Sequence, residues 1–181
     1  MIEIKCVGRG GQGAVTFSQI LAIAAFHDGK YCQAMPSFGV ERRGAPSFSY
    51  TRIDDKQINI RSLIYEPDIV VVLDASLLFA LDVTEGLKKN GILIVNSIKK
   101  PNELGIKGNF KIFTVDASTP ALKHFGLNIV NTAMLGAFSK ATKLVSMKGI
   151  YKGIEERFAG KKKLIDLNKT VIDEVYKEVK V

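Results

Sequence analysis

"IEIKCVGRGGQGAV", residues 2–15, sets a short apolar run directly against four glycines within six positions. The run reads as a strand. The next stretch, "AVTFSQILAIAAFHDG" (14–29), repeats apolar side chains with the period of a helix of roughly four turns ending at Gly29. Strand, glycine turn and helix, in that order, are the context a phosphate-binding loop needs, and Gly8, Gly10 and Gly13 satisfy G-x-G-x-x-G. Glycine permits positive φ and lets a ligand come close to the backbone. A helix beginning near Ala14 offers unpaired N–H groups and the positive end of its dipole, and Arg9 adds a charge. A plainer alternative stays open: a tight turn that only packs the helix on the strand.

The elements that follow keep alternating. "KYCQAMP" (30–36) is a second short strand. "APSFSYTRI" (45–53) and "QINIRS" (57–62), joined by "DDK", read as a hairpin. "DIVVVLD" (68–74) and "GILIVNS" (91–97) are continuous apolar runs, as expected of strands covered on both faces, and "FKIFTVD" (110–116) is a further strand. "ASLLFALDVTEGLKK" (75–89) reads as a helix between the first two of these. "STPALKHFG" starts another, with Pro120 at its first helical position, and "NIVNTAMLGAFSKATKLV" (128–145) is a buried one. "MKGIYKGIEERFAG" and "LIDLNKTVIDEVYKEV" are amphipathic; in the second, Leu164, Leu167, Val171, Val175 and Val179 share a stripe. Alternating strands and helices predict one domain over 1–181. Its fold is α/β and Rossmann-like: a mainly parallel sheet flanked by helices, with an added β-hairpin.

Several functions are excluded or disfavoured. NAD binders place an acidic residue about 20 positions past the glycine loop to hold the ribose; "KYCQAMPS" has none. The Gly-Lys-Ser/Thr ending of a nucleoside triphosphate loop is also missing. Two cysteines, Cys6 and Cys32, and two histidines cannot build a four-cysteine iron–sulfur or zinc site. His27 and His124 fall near helix ends, where histidine is favourable in its own right. Asp74, Asp116, Asn96 and Ser97 end predicted strands, where α/β sheets meet ligands, but capping the next helix explains them equally. No catalytic residue and no metal ligand is therefore assigned to this chain. If it serves catalysis, the hard chemistry belongs to a cofactor on a partner chain.

Composition points the same way. Hydrophobic residues make up 46% and charged residues 24%, an ordinary globular balance. No apolar run reaches the roughly 20 residues of a membrane span, and no signal-peptide pattern opens the chain, so a cytoplasmic protein with no membrane partner is expected. The net charge of +8 raises nucleic acid as a partner. The basic residues are spread, however, and the densest run, "AGKKKLID", holds only three consecutive lysines at the start of a helix. A solvated helix entry explains that run, and the charge equally suits an anionic ligand or an acidic partner. One segment fits no element: "PSFGVERRGAP" (36–46) is long, with prolines at both ends. Such a loop is often functional, and equally a surface excursion in which Glu41 pairs with Arg42 or Arg43.

"GRGGQGAVT" (8–16), "GKYCQAMPSFGVERRGAP" (29–46), "YEPDIVVVLD" (65–74) and "NTAMLGAFSKAT" (131–142) together resemble the gamma subunit of the pyruvate:ferredoxin oxidoreductase family. The gamma subunit of 2-oxoisovalerate:ferredoxin oxidoreductase is very similar and can be the same chain. The resemblance implies a multisubunit enzyme that oxidatively decarboxylates a 2-oxo acid, forms an acyl-CoA and reduces ferredoxin. It implies thiamine diphosphate with Mg2+ and 4Fe-4S clusters in the alpha, beta and delta subunits, with none of these bound by this chain alone. It also implies that Gly8, Arg9, Gly10, Gly11, Gln12 and Gly13 approach coenzyme A (CoA), and that Ser37, Phe38, Glu41, Arg42 and Arg43 make interface or anion contacts. The rival from another class is a stand-alone nucleotide-binding module without catalytic partners.

Overall fold

The computed structural model describes residues 1–36 and 44–180. Six strands, β1 (Ile2–Arg9), β2 (Tyr31–Pro36), β3 (Pro46–Asp54), β4 (Ile69–Val72), β5 (Ile92–Asn96) and β6 (Lys111–Val115), form one sheet in the order β2-β3-β1-β4-β5-β6. Pairings from β1 through β4 and β5 to β6 are parallel, while β3 runs antiparallel to both β1 and β2. The expected α/β class and mainly parallel sheet are what is observed. Among the described residues five helices accompany it: α1 (Ala14–His27), α2 (Ser118–Phe125), α3 (Ala133–Thr142), α4 (Met147–Arg157) and α5 (Lys162–Glu178).

Side chains alternate along β1 and divide the core in two. Ile4 and Cys6 join Ile69, Val71, Ile94 and Val115 under Phe17, Phe138, Ile154, Val171 and other residues of the helices. Val7, Val70, Val72, Leu93 and Val95 form the opposite face, under Leu77 and Val83. All five helices lie on the first face. The second is covered by the two crossovers, 73–91 and 97–110, whose only helical pieces among the described residues are the single 3-10 turns Ala75–Phe79 and Pro101–Glu103. The chain thus leaves β1 on one face and β4 on the other. The space between their carboxyl ends is a topological switch point, where open α/β sheets bind ligands.

Two expected elements are corrected, and two helix starts are shifted. The hairpin is β2–β3, with Tyr31 opposite Asp54 and Pro36 opposite Ser49, and "QINIRS" is not a strand. Both edges of β3 are already taken, by β1 and β2. Arg52, only 1% exposed, claims the carbonyls that a ladder would need: its Nη1 donates to Ile60 O at 3.4 Å and its Nη2 to Ser62 O at 2.8 Å. Its Nε meets Glu3 Oε1 at 2.9 Å. Nor is 75–89 a full helix. Asp82 turns the chain by accepting from Thr84 N at 2.9 Å and Thr84 Oγ1 at 2.6 Å, in competition with helical bonding. Gly86 follows at φ 77°, against the Tyr65 carbonyl. Pro120, expected first in its helix, is third in α2, and the helix expected from residue 128 begins at Ala133.

Candidate functional site

Gly8 and Arg9 are the last residues of β1, opposite Ser47 and Pro46 of β3. The backbone bonding continues past them: Gly10 N donates to Ala45 O at 2.8 Å and Gly44 N to Gly10 O at 3.2 Å. The loop then closes as Gln12 N donates to Arg9 O at 2.9 Å. Gly11 and Gly13 adopt φ of 94° and 82°, a region that L side chains rarely enter. Gly13 is also pressed by its surroundings, since a Cβ there would lie 2.2 Å from Asn131 Nδ2. At Gly8 an added Cβ would meet Leu73 Cδ1 at 3.2 Å. Gly13 is the N-cap of α1 and has no side chain with which to cap it. The first-turn N–H groups of α1 and the positive end of its dipole therefore face the switch point without a capping oxygen. On the buried side, Ser49 Oγ donates to Ala14 O at 2.7 Å and fixes that turn on β3.

Arg9 does not stand free. Its Nε lies 3.2 Å from Asp74 Oδ2, its Nη2 donates to Ser76 Oγ at 2.8 Å and its Nη1 to Gly44 O at 3.0 Å. Gln12 Nε2 donates to the same Asp74 oxygen at 3.0 Å, and Gln12 Oε1 accepts from Arg9 N at 2.7 Å. Burial pushes the Asp74 carboxyl up, but hydrogen bonds from Ser76 and Gln12, with the Arg9 charge, outweigh it and hold the group below the ordinary carboxylate range.

A cleft of about 450 Å³ opens beside this cluster, lined by Gln12, Asp74, Asn96, Asp116, Ser118 and Val130 among others. Asn96 ties three strand ends together: Nδ2 donates to Leu73 O and Ser118 Oγ, each at 3.0 Å, and Oδ1 accepts from Ala117 N at 3.0 Å. Asp116 accepts from Thr119 N at 3.0 Å. Phe79 and Ile98 line the same cleft and are 87% and 74% exposed.

The glycine loop is thus brought together with Asp74, Asn96 and Asp116. Capping, the plainer reading of Asp74 and Asp116, is observed for both, and Asp74 does more. Ser37, Phe38, Glu41, Arg42 and Arg43 lie outside the described residues; Gly44 and Ala45, which follow them, bond Gly10. His27 pairs with Glu156, and His124 Nε2 lies 2.8 Å from Glu174 Oε1, both away from the cleft. Burial pushes the Cys6 thiol far up, which keeps it protonated and unreactive. Among the described residues, no three His, Cys, Asp or Glu side chains gather as a metal site requires. Sequence reasoning missed the Arg9–Asp74 pair, the double role of Gln12 and the seat of Gly13 on Asn131. The only available signal was that Asn131 opens one of the motifs already singled out.

The family model described as pyruvate ferredoxin/flavodoxin oxidoreductase matches residues 3–178. Pyruvate synthase subunit PorC of Methanocaldococcus jannaschii is 56% identical over 161 residues, 89% of this chain and 88% of that one. The pyruvate/ketoisovalerate oxidoreductases common subunit gamma of Pyrococcus furiosus is 53% identical, covering 100% of this chain and 98% of its own. The crystal structure of pyruvate oxidoreductase subunit PORC from Thermotoga maritima superposes with a TM-score of 0.85 at 41% identity, over 99% of this chain and 97% of that one. A glycine loop at the switch point, a helix-clad sheet of this order and these matches agree: the chain belongs to the pyruvate ferredoxin/flavodoxin oxidoreductase family.

Proposed function

We propose that the chain, as one domain, is the gamma subunit of a cytoplasmic, heteromeric pyruvate:ferredoxin oxidoreductase, and that its part is to bind CoA and to hold the complex together. In the overall reaction pyruvate loses CO2, its acyl carbon gives two electrons to oxidised ferredoxin, and the acyl group passes to the CoA thiol, which releases its proton. Thiamine diphosphate with Mg2+ supplies the carbanion chemistry and 4Fe-4S clusters carry the electrons, held by the alpha, beta and delta subunits. The residues described here do not fit a cluster: Cys6 is sealed in the core, and no group of metal-ligating side chains accompanies it.

The observation that carries the CoA role is the uncapped start of α1 at the switch point. Its N–H groups suit a pyrophosphate, and the glycines let one come close. The net charge of +8 favours a polyanionic ligand. Exposed Phe79, Ile98, Leu63 and Tyr65, 60–87% accessible, support assembly with other subunits. A shared role with a 2-oxoisovalerate enzyme is the second reading. The relatives named as a common subunit of both enzymes favour it.

The test uses Gly11, where an added Cβ meets nothing within 4 Å. Gly11→Ala reports the backbone strain, and Gly11→Asp adds a negative charge to the loop. In the assembled enzyme, Gly11→Asp should raise KM for CoA above that of Gly11→Ala, while pyruvate decarboxylation without CoA persists. Equal KM values in the two variants would remove CoA from this loop. Purified complex assayed with pyruvate and 2-oxoisovalerate decides between the two substrates.

A further inference from the structure

Capping accounts for only one of the two oxygens of Asp74. Its Oδ1 accepts from Ser76 N at 2.9 Å and Ser76 Oγ at 2.6 Å, which starts the 3-10 turn after β4. Its Oδ2 accepts from Arg9 and Gln12, across the switch point. Within residues 8–13 only Arg9 and Gln12 have side chains, and both donate to this one carboxylate, Arg9 reaching Ser76 Oγ and Gly44 O as well. Gln12 also holds the Arg9 backbone N–H, so the turn is braced from inside as well as from β4. The remaining residues are glycines, two of them at positive φ; Gly10 is held through its backbone by Gly44 and Ala45, and none has a side chain to brace the turn.

We propose that Asp74 is the positioning residue of the glycine loop: from the neighbouring strand it fixes, through Arg9 and Gln12, the backbone shape that meets the phosphate groups of the ligand. The inference rests on the reading of that ligand as CoA. Asp74 also neutralises Arg9, so the phosphate is met by the backbone N–H groups at the start of α1 rather than by that side chain.

Asp74→Asn keeps the side-chain shape and leaves an oxygen for Ser76, but turns an NH2 group toward the Arg9 and Gln12 donors. In the assembled holoenzyme, KM for CoA should rise on the order of tenfold, the value of one charge-assisted hydrogen bond. The kcat at saturating CoA should fall far less. If Asp74 only caps the following turn, the variant lowers Tm and leaves KM for CoA where it was, and the proposal is overturned. Gln12→Leu breaks the same link without touching the cap. It should move KM in the same direction, and an unmoved KM there also overturns the proposal, including where Asp74→Asn does not assemble. The Gly11→Asp variant separates the two levels. If it raises KM and the Asp74 and Gln12 variants do not, only the positioning role falls; if none does, the CoA reading falls with it.

Discussion

Gly11 and Gly13 share a left-handed backbone but not a neighbourhood. Space around Gly11 is open, whereas Gly13 faces the amide of Asn131, a residue only 7% exposed. Alanine at Gly11 therefore bears the backbone cost alone, roughly 1–2 kcal/mol. Alanine at Gly13 must also displace Asn131, an overpacking cost of about 1–3 kcal/mol on top. Thermal denaturation should rank Gly13→Ala clearly below Gly11→Ala. Arg52 makes a second residue-level case. It is a buried cation whose charge is met by Glu3 and whose remaining donors hold Gln33, Ile60 and Ser62. Arg52→Ala leaves Glu3 without its closest cation and frees the 57–65 strap. Lys88, 3.9 Å from Glu3, softens the loss, so chemical denaturation should show a drop near the low end of the range for broken buried pairs, about 3 kcal/mol.

Helix packing makes small residues at contacts decisive. Gly149 and Gly153, one turn apart on α4, let α1 approach so closely that added Cβ atoms would lie 2.6 Å from Ala24 O and 3.0 Å from Ile20 O. On α3, a Cβ at Gly136 would lie 2.3 Å from Ile172 O of α5. Propensity alone favours alanine in a helix by about 1 kcal/mol. Here the obstacle is backbone, which cannot rotate away, so Gly136→Ala should be a net loss, read as a lower denaturation midpoint. The same contrast explains what was legible from sequence. Continuous apolar runs marked β4 and β5, and apolar period marked α1 and α5, because burial alone dictates them. The 57–62 and 75–89 segments differ from their sequence reading because side-chain hydrogen bonds and a backbone contact from outside the segment override the pattern, beside the local Asp82–Thr84 turn in the second. Arg52 takes the carbonyls of the first, and the Tyr65 carbonyl confronts Gly86 in the second. Of the site, the glycine loop was legible from its spacing. Asp74 as its brace was not, because a carboxylate at a strand end looks the same whether it caps a turn or holds a loop 62 residues away in sequence.

The whole molecule is a sheet dressed unequally. One face is locked under five helices, and the other lies under two crossovers that carry little regular hydrogen bonding of their own. Local opening draws on segments with few buried contacts and solvated backbone. The free energy needed to lift 73–91 or 97–110 should therefore be well below that of global unfolding. In hydrogen exchange followed by mass spectrometry, peptides from these crossovers should take up deuterium long before those of α1 and α3. Uniform protection on both faces would show that the turns cooperate with the core. A molecule with one slow and one fast side has a built-in order of unfolding, in which β4, β5 and β6 lose their cover while the seat of α1 on β1 and β3 stays intact. The glycine loop spans that divide: its strand and helix ends hang from the surviving seat, while its brace, Asp74, sits on the crossover that opens first, so the loop should lose its shape before α1 leaves its seat.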